Sequence, residues 1–172
     1  MRIYLVGYMG SGKTTLGKDL ANVLGLNFID LDKFIEAKYF KTIPQIFAEN
    51  GEDDFRKKEN SCLKEVSEFE DVVIATGGGV PCFFDNIDIM NHTGACIFLD
   101  ISPNVLVDRL LKAGNERPLV KGKSKEELTA LVNEMLVNRR PFYLKSRYII
   151  SNDNITISDL LAQFMEAGNG QT

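Results

Sequence analysis

The chain has 172 residues, of which 44% are hydrophobic and 26% are charged. This length fits one domain with its own core, and the composition is that of a globular protein rather than a disordered chain. The formal net charge of −4 argues against a broad basic surface for nucleic acid, so no nucleic-acid partner is expected. The apolar runs are too short for a signal peptide or a membrane span, which predicts a cytoplasmic protein without a membrane partner.

In chain order, short apolar runs alternate with longer amphipathic stretches, which is the pattern of βαβ units. The predicted strands cover residues 3–6, 27–30, 72–75, 95–99 and 147–150. The predicted helices cover residues 13–24, 32–40, 43–50, 53–69, 103–111, a segment from the Ser124 capping box to near Pro141, and 156–165. The pattern predicts an α/β fold: one parallel five-stranded sheet with helices on both faces, forming a single domain over residues 1–172.

The strongest motif lies between the first predicted strand and the first predicted helix. Residues 7–14 read Gly-Tyr-Met-Gly-Ser-Gly-Lys-Thr, which matches the GxxxxGK[ST] phosphate loop. Its glycines let successive backbone N–H groups point at phosphate oxygens, and the helix N-terminus adds partial positive charge. Lys13 is expected to reach the β- and γ-phosphates, and the Thr14 hydroxyl to bind Mg²⁺.

Two carboxylates directly follow the second predicted strand. Alternation along an extended chain places Asp30 and Asp32 on the same side, at the carboxyl edge where open α/β sheets bind ligands. One is expected near the metal and the other near an acceptor hydroxyl, whose proton a carboxylate can take during phosphoryl transfer. The alternative is that either residue only caps the next helix.

Further candidates follow later in the chain. Gly77, Gly78 and Gly79 end the third strand, which indicates a positive φ, a close approach of a ligand to the backbone, or a bare turn. Residues 112–123 form a polar loop long enough to suggest a flexible lid, and Arg117 within it is placed to close over the γ-phosphate. Arg56 and Arg139 carry planar guanidinium groups suited to a carboxylate or phosphate, although each taken alone is better explained as a surface charge.

Other chemistries find little support in the sequence. The odd, widely spaced set Cys62, Cys82 and Cys96 fits reduced thiols rather than a disulfide framework, and His92 is expected in a surface loop, so no zinc site is predicted. No NKxD run points to guanine. Asp100 ends a predicted strand, but a strand-end cap or turn residue explains it better than a magnesium ligand does.

Taken together, the segments resemble shikimate kinase over residues 2 to about 165. The resemblance rests on the phosphate loop, Asp30-Leu31-Asp32, Phe55-Arg56 followed by Glu59, and three later motifs. These are Ala75-Thr76-Gly77-Gly78-Gly79, Arg117-Pro118-Leu119, and Arg139-x-Pro141-x-Tyr143.

The resemblance implies a phosphate-loop kinase fold and transfer of the ATP γ-phosphate to the 3-hydroxyl of shikimate, in aromatic amino-acid synthesis. It implies that ATP is bound by Gly10, Ser11, Gly12, Lys13, Thr14, Thr15, Arg109 and Arg117, with Mg²⁺ on Thr14 and Asp30. It further implies that Asp32 holds the reacting hydroxyl and that Lys13 and Arg117 clamp the phosphate. Arg56, Arg139 and the backbone of Gly77, Gly78 and Gly79 would hold shikimate, Glu59 would orient Arg56, and the protein would be a monomer.

Two alternatives stay open at the level of the sequence. Another small-molecule kinase, with gluconate or a nucleoside monophosphate as acceptor, could use similar arginine forks. A nucleotide-binding module that has lost catalysis would keep the phosphate loop but not need the full set of Lys13, Thr14, Asp32 and Arg117.

Overall fold

The structure is a computed structural model that describes residues 1–113 and 120–169. Its centre is one sheet of five parallel strands in the order β2-β3-β1-β4-β5. The strands are β1 (Arg2–Val6), β2 (Asn27–Asp30), β3 (Val72–Ala75), β4 (Ala95–Asp100) and β5 (Tyr148–Ser151). The predicted α/β fold with a parallel five-stranded sheet is confirmed.

The helices of the described residues connect these strands. They are α1 (Lys13–Leu24), α2 (Leu31–Tyr39), α3 (Ile43–Val66), α4 (Asn86–Thr93), α5 (Pro103–Lys112), α6 (Lys125–Tyr143) and α7 (Ile157–Asn169), with a short 3₁₀ turn at Val80–Cys82. The end of α1 follows the sequence signal closely, because Gly25 adopts φ 68° and its N–H caps the last turn. The predicted capping box of Ser124 and Glu127 is confirmed at the start of α6.

Both faces of the sheet are covered, which explains the uniformly apolar strands. Ile3 and Tyr4 point to opposite faces of β1, and both side chains are fully buried. All four residues of β3 are buried as well. A parallel sheet buried on both sides leaves only the ends of its strands open, so the carboxyl edge becomes the natural place for a site.

The third helix differs from its prediction in two ways. The two helices expected at 43–50 and 53–69 form one element that ends at Val66, and Gly51 inside it is non-helical with φ 78°. The expected exposed helix also buries one face, because Phe55, Glu59 and Leu63 lie in the interior. The kink therefore redirects the chain so that the segment after Gly51 packs inward.

The surface loop predicted around His92 is wrong, because this residue lies in the last turn of α4. No predicted helix covered this segment. Asp85 precedes the helix without a side-chain cap, so the usual start signal is missing. The helix is held instead by buried Ile87 and Met90 and by Asn86, whose amide donates to the Val80 carbonyl at 2.8 Å.

Smaller differences concern the ends of elements. Helix α6 continues through Pro141 to Tyr143, and β5 begins at Tyr148 rather than at residue 147. Helix α7 extends to Asn169, beyond the predicted end at residue 165. Within the described parts of the chain, no helix combines the length and apolar character that crossing a membrane requires.

Candidate active site

Strand order brings the three main candidate segments together. Asp30 at the end of β2 is in register with Ala75 at the end of β3, and Ala75 is in register with Leu5 of β1. The phosphate loop, the carboxylate pair and the glycine turn therefore leave the sheet at one edge and on adjacent strands. They line a shared cavity of about 330 Å³, formed by Met9, Gly10, Gly12, Lys13, Thr14, Thr15, Asp30, Asp32, Thr76, Gly77 and Gly78.

The phosphate loop has the backbone shape that its glycines permit. Gly10 and Gly12 have φ values of 84° and 95°, a region that side-chain-bearing residues rarely occupy. The Lys13 ammonium bridges the loop by donating to the carbonyls of Gly7 at 2.8 Å and Tyr8 at 2.9 Å. The loop is thereby held as a closed ring at the N-terminus of α1, where anions are favoured. Within the loop Ser11 is buried, and Thr15, which follows the loop, lines the cavity.

Asp30 combines the capping role and the site role that the sequence left as alternatives. Its Oδ1 accepts from the backbone N–H groups of Asp32 and Lys33, which caps α2. Its Oδ2 accepts from the Thr14 hydroxyl at 3.1 Å. A hydroxyl and a carboxylate oxygen thus lie side by side at the cavity, and hard oxygen donors of this kind suit Mg²⁺.

Asp32 is partly buried and lies against Gly77. Burial raises the pKa of Asp32 above its usual range, the charge of Asp30 adds to the rise, and the charge of Lys13 opposes it. A carboxylate with a raised pKa has more affinity for a proton and is a better general base. Asp32 therefore has the electrostatic character that a proton acceptor needs.

The three glycines of the turn are explained by the close approach of neighbouring side chains, because none of the three has a positive φ. A Cβ atom on Gly77 would lie 2.9 Å from Oδ1 of Asp32, and one on Gly78 would lie 3.3 Å from Nη1 of Arg139. A Cβ atom on Gly79 would lie 2.7 Å from both terminal nitrogens of Arg56. Each glycine makes room for a different polar side chain, so the turn brings one carboxylate and two guanidinium groups to the same wall.

Arg56, on α3, is held in place by ionic and aromatic contacts. Its Nη1 donates to Glu59 at 2.8 Å and its Nη2 to Glu52 at 3.1 Å. Its guanidinium carbon lies 4.0 Å from the Phe83 ring centroid and 5.1 Å from that of Phe55. A planar cation held against an aromatic face keeps its orientation, which favours recognition of an anionic ligand.

Glu59, the partner of Arg56, is a buried carboxyl group with a raised pKa. Its side chain is 2% exposed, and burial raises its pKa from 4.5 to about 7, while the charge and hydrogen bond of Arg56 oppose the rise. Between these values the folded protein holds a proton that the unfolded chain releases. The stabilising effect of that proton is fully present below pH 4.5 and is lost as the pH rises through 7.

The Glu59→Gln variant is therefore expected to gain stability relative to the parent as the pH rises from 5 to 8. Between pH 5 and pH 8, the unfolding free energy of Glu59→Gln minus that of the parent is expected to increase by on the order of 2 kcal/mol. Urea denaturation at each pH measures both free energies. The control is Glu52→Gln, which removes the other, 55%-exposed partner of Arg56. Parallel pH curves for the parent and Glu59→Gln would contradict the raised pKa.

Arg139 and Arg140 are neighbours on α6 with different surroundings. Arg139 faces the glycine turn, and its guanidinium carbon lies 5.8 Å from the Tyr8 ring centroid. Arg140 forms an ion pair with Asp100 at 2.8 Å, and Asp100 also accepts from the Ser151 hydroxyl at 3.0 Å. The ion pair and hydrogen bond of Asp100 link β4, β5 and α6, in agreement with its interpretation as a strand-end residue.

Arg109 lies beside the phosphate loop. Its Nη1 donates to the Gly10 carbonyl at 3.2 Å, and its Nη2 to the Asp153 carbonyl after β5 at 2.7 Å. The guanidinium therefore joins the loop to the segment after the last strand. Arg117, the candidate clamp in the predicted lid, lies outside the described residues.

The sequence does not predict the roles of two further residues. Phe83 contacts Arg56, and Tyr143 donates to the Gly78 carbonyl at 2.6 Å. Tyr143 lies in the Arg139-x-Pro141-x-Tyr143 motif, but the motif does not indicate what the tyrosine contacts. Phe83 has no sequence signal, because its contact joins the turn after β3 to α3.

A larger cavity of about 730 Å³ lies between α5 and α6. Its walls include the apolar residues Leu106 and Leu136 together with the Asp100–Arg140 pair. Apart from Tyr8 it contains none of the phosphate-loop residues and neither of the two site carboxylates. The phosphate-loop residues and the two site carboxylates are therefore gathered in the smaller cavity.

A phosphate loop at the edge of a parallel sheet, with a partly buried carboxylate and two guanidinium groups beside it, defines a small-molecule phosphotransferase of the α/β class. Comparisons with known proteins identify the family. The shikimate kinase family model matches residues 9–168. A shikimate kinase of Phocaeicola vulgatus is 54% identical over 154 residues, which cover 90% of this chain and 88% of the relative.

Solved structures agree with this match. Shikimate kinase from Bacteroides thetaiotaomicron superposes with a TM-score of 0.90 at 45% identity, covering 98% of each chain. The enzyme from Acinetobacter baumannii, solved in complex with shikimate, gives a TM-score of 0.82 at 34% identity, covering 99% of this chain and 95% of the other. The chain belongs to the shikimate kinase family and is an ATP-dependent phosphotransferase that acts on an alcohol group.

Proposed function

We propose that this chain transfers the γ-phosphoryl group of ATP to the 3-hydroxyl of shikimate, using the cavity between the phosphate loop and the glycine turn. The observation that carries the assignment of residues is the convergence of Asp32, Arg56 and Arg139 on three consecutive glycines beside Lys13. Shikimate is a small carboxylate with several hydroxyls. It calls for guanidinium forks at one end and a proton acceptor at the other.

In the proposed mechanism, Asp32 accepts the proton of the 3-hydroxyl while that oxygen attacks the γ-phosphorus, and the bond between the γ-phosphorus and the β,γ-bridging oxygen breaks to release ADP. Lys13, the loop N–H groups and Arg117 stabilise the charge on the phosphate oxygens. Arg56, oriented by Glu59, and Arg139 bind the carboxylate, and the backbone of Gly77, Gly78 and Gly79 contacts the ring hydroxyls. Arg109 packs against adenine, which suits its place between the phosphate loop and the segment after β5.

Thr14 and Asp30 would hold Mg²⁺, because their oxygens already lie 3.1 Å apart at the cavity. The described residues contain no group of three acidic, histidine or cysteine side chains placed as a complete metal cage. This agrees with Mg²⁺, which is usually bound by one or two protein oxygens together with substrate phosphates and water. The ion would neutralise charge on the β- and γ-phosphates.

The remaining parts of the proposal concern the whole chain. Residues 1–172 would form one domain, with a lid over about 112–123 that excludes water and so limits wasteful ATP hydrolysis. The protein would act as a monomer in the cytoplasm. The net charge of −4 supports small molecules rather than nucleic acid as its partners.

The activity is tested by coupled measurement of ADP release with ATP, Mg²⁺ and one acceptor at a time. Shikimate is expected to support turnover, whereas gluconate and nucleoside monophosphates are not. Turnover with gluconate alone would keep the kinase class but refute the acceptor. ATP binding without turnover on any acceptor would refute catalysis.

The carboxylate assignment is tested by Arg139→Ala. The KM for shikimate is expected to rise by about 10- to 100-fold, because a hydrogen bond to a charged group is lost, and the KM for ATP is expected to stay unchanged. The matched control is Arg140→Ala, since the neighbouring guanidinium is paired with Asp100 instead. Equal KM values for shikimate in both variants would show that Arg139 does not bind the acid.

A further inference from the structure

Tyr143 is fully buried beneath the glycine turn, yet its hydroxyl points at a substrate-site peptide. The ring packs on Phe98, with centroids 5.1 Å apart, and the hydroxyl donates to the Gly78 carbonyl at 2.6 Å. In a planar trans peptide the C=O and the next N–H point in opposite directions. The hydrogen bond therefore turns the N–H of Gly79 away from Tyr143.

That N–H is available for another partner. In the described part of the chain the Gly79 amide makes no backbone hydrogen bond as a donor, whereas its carbonyl accepts from Cys82 at 2.9 Å. A rotation of the Gly78–Gly79 peptide plane would move the Gly79 N–H and the Gly78 carbonyl together. The Tyr143 hydroxyl restrains that rotation from the buried side of the turn.

The Arg139 guanidinium faces the same turn. Burial raises the pKa of Tyr143, and the positive charge of Arg139 opposes that rise. Arg139 in turn lies against Gly78, where a Cβ atom would be 3.3 Å from Nη1. The buried hydroxyl thus holds the Gly78 carbonyl, and Arg139 on α6 faces that same residue, although the turn itself follows β3.

We propose that Tyr143 is a positioning residue that couples the Gly78–Gly79 peptide to the Arg139 guanidinium and thereby sets the geometry of acceptor binding. The inference rests on the proposed function, in which both groups contact shikimate. Tyr143 itself touches neither substrate nor phosphate. Its effect appears in the KM for shikimate and not in the KM for ATP.

The variant Tyr143→Phe keeps the ring and removes the hydroxyl. The KM for shikimate is expected to rise by about five- to tenfold, with kcat within about twofold of the parent and the KM for ATP unchanged. The matched control is Tyr4→Phe, because Tyr4 is also fully buried and its hydroxyl hydrogen-bonds Thr93 at 2.8 Å. Tyr4→Phe is expected to lower the melting temperature without changing either KM.

A double-mutant cycle tests the coupling directly. The effect of Tyr143→Phe on the KM for shikimate is expected to shrink when Arg139 is already alanine, because the guanidinium it positions is gone. An unchanged KM in Tyr143→Phe, or an equal effect in both backgrounds, would overturn the proposal. If Tyr143→Phe is unstable at the assay temperature, shikimate affinity measured calorimetrically in the cold decides between the same outcomes.

Failure of the proposed function gives a different result. The parent would then show no shikimate-dependent turnover, or Arg139→Ala alone would leave the KM for shikimate unchanged. A raised KM in Arg139→Ala combined with a normal KM in Tyr143→Phe would refute only the positioning role.

Discussion

The Asp32→Asn variant is expected to lose about 10²- to 10⁴-fold in kcat with shikimate, while ATP binding stays nearly intact. Asparagine keeps the shape of the side chain but cannot accept the proton of the attacking hydroxyl. The geometric reason for choosing Asp32 is its position against Gly77, in the cavity that also holds Lys13. Steady-state kinetics over a range of pH provides the measurement.

Measuring the thermal stability of Asp32→Asn distinguishes a loss of catalysis from unfolding of the variant. Burial and the charge of Asp30 raise the pKa of Asp32, so its ionised form opposes folding once the pH exceeds the raised value. Asp32→Asn is therefore expected to melt at the same temperature as the parent, or higher, at neutral pH. The control is Asp19→Asn, an exposed position on α1, which leaves kcat unchanged. A parental kcat in Asp32→Asn would remove this residue from the role of base.

The same two carboxylates show how far local sequence reasoning reaches. Alternation along an extended chain predicted that Asp30 and Asp32 face one side. Both line one cavity, but β2 ends at Asp30 and Asp32 lies in the first turn of α2, so strand alternation is not the reason. The phosphate loop could be found without the tertiary fold because its strand, glycines and lysine are contiguous. The caps of α1 and α6 were predictable for the same reason, since their signals lie within a few residues.

The parts that escaped prediction depend on contacts between distant segments. Three glycines in a row indicated close approach, but the sequence does not say that Asp32, Arg139 and Arg56 are the groups that approach them. The strand order, which places β3 beside β2, brings Asp32 to the turn, whereas the packing of α3 and α6 against the turn brings Arg56 and Arg139. Helix α4 escaped for a related reason, since buried Ile87 and Met90 hold it while its start lacks a side-chain cap.

Glu59 and Tyr143 illustrate the same limit within the candidate site. A glutamate three residues after Arg56 predicts a helical ion pair, but not the burial that raises its pKa to about 7. A tyrosine after Pro141 predicts nothing about the Gly78 carbonyl, which lies 65 positions earlier in the chain. Residues that position others become visible only when the segments they join have been assembled.

The second large effect is expected at Lys13. Lys13→Ala is expected to lower kcat/KM for ATP by about 10³-fold, because charge on the transferring phosphoryl group loses its fixed cation in the loop. The ammonium already lies between two loop carbonyls, at 2.8 and 2.9 Å. It is therefore held within the loop that would surround the phosphates. The measurement is ADP release at saturating shikimate, with ATP varied.

Two further variants serve as controls for Lys13→Ala. Lys18→Ala removes an exposed ammonium from the same helix and is expected to leave kinetics unchanged. Lys13→Arg keeps the charge, but a planar guanidinium does not fit the space between two carbonyls as an ammonium does, so we expect little rescue. Near-parental activity in Lys13→Ala would contradict the phosphate role, whereas full activity in Lys13→Arg would show that charge matters more than its compact shape.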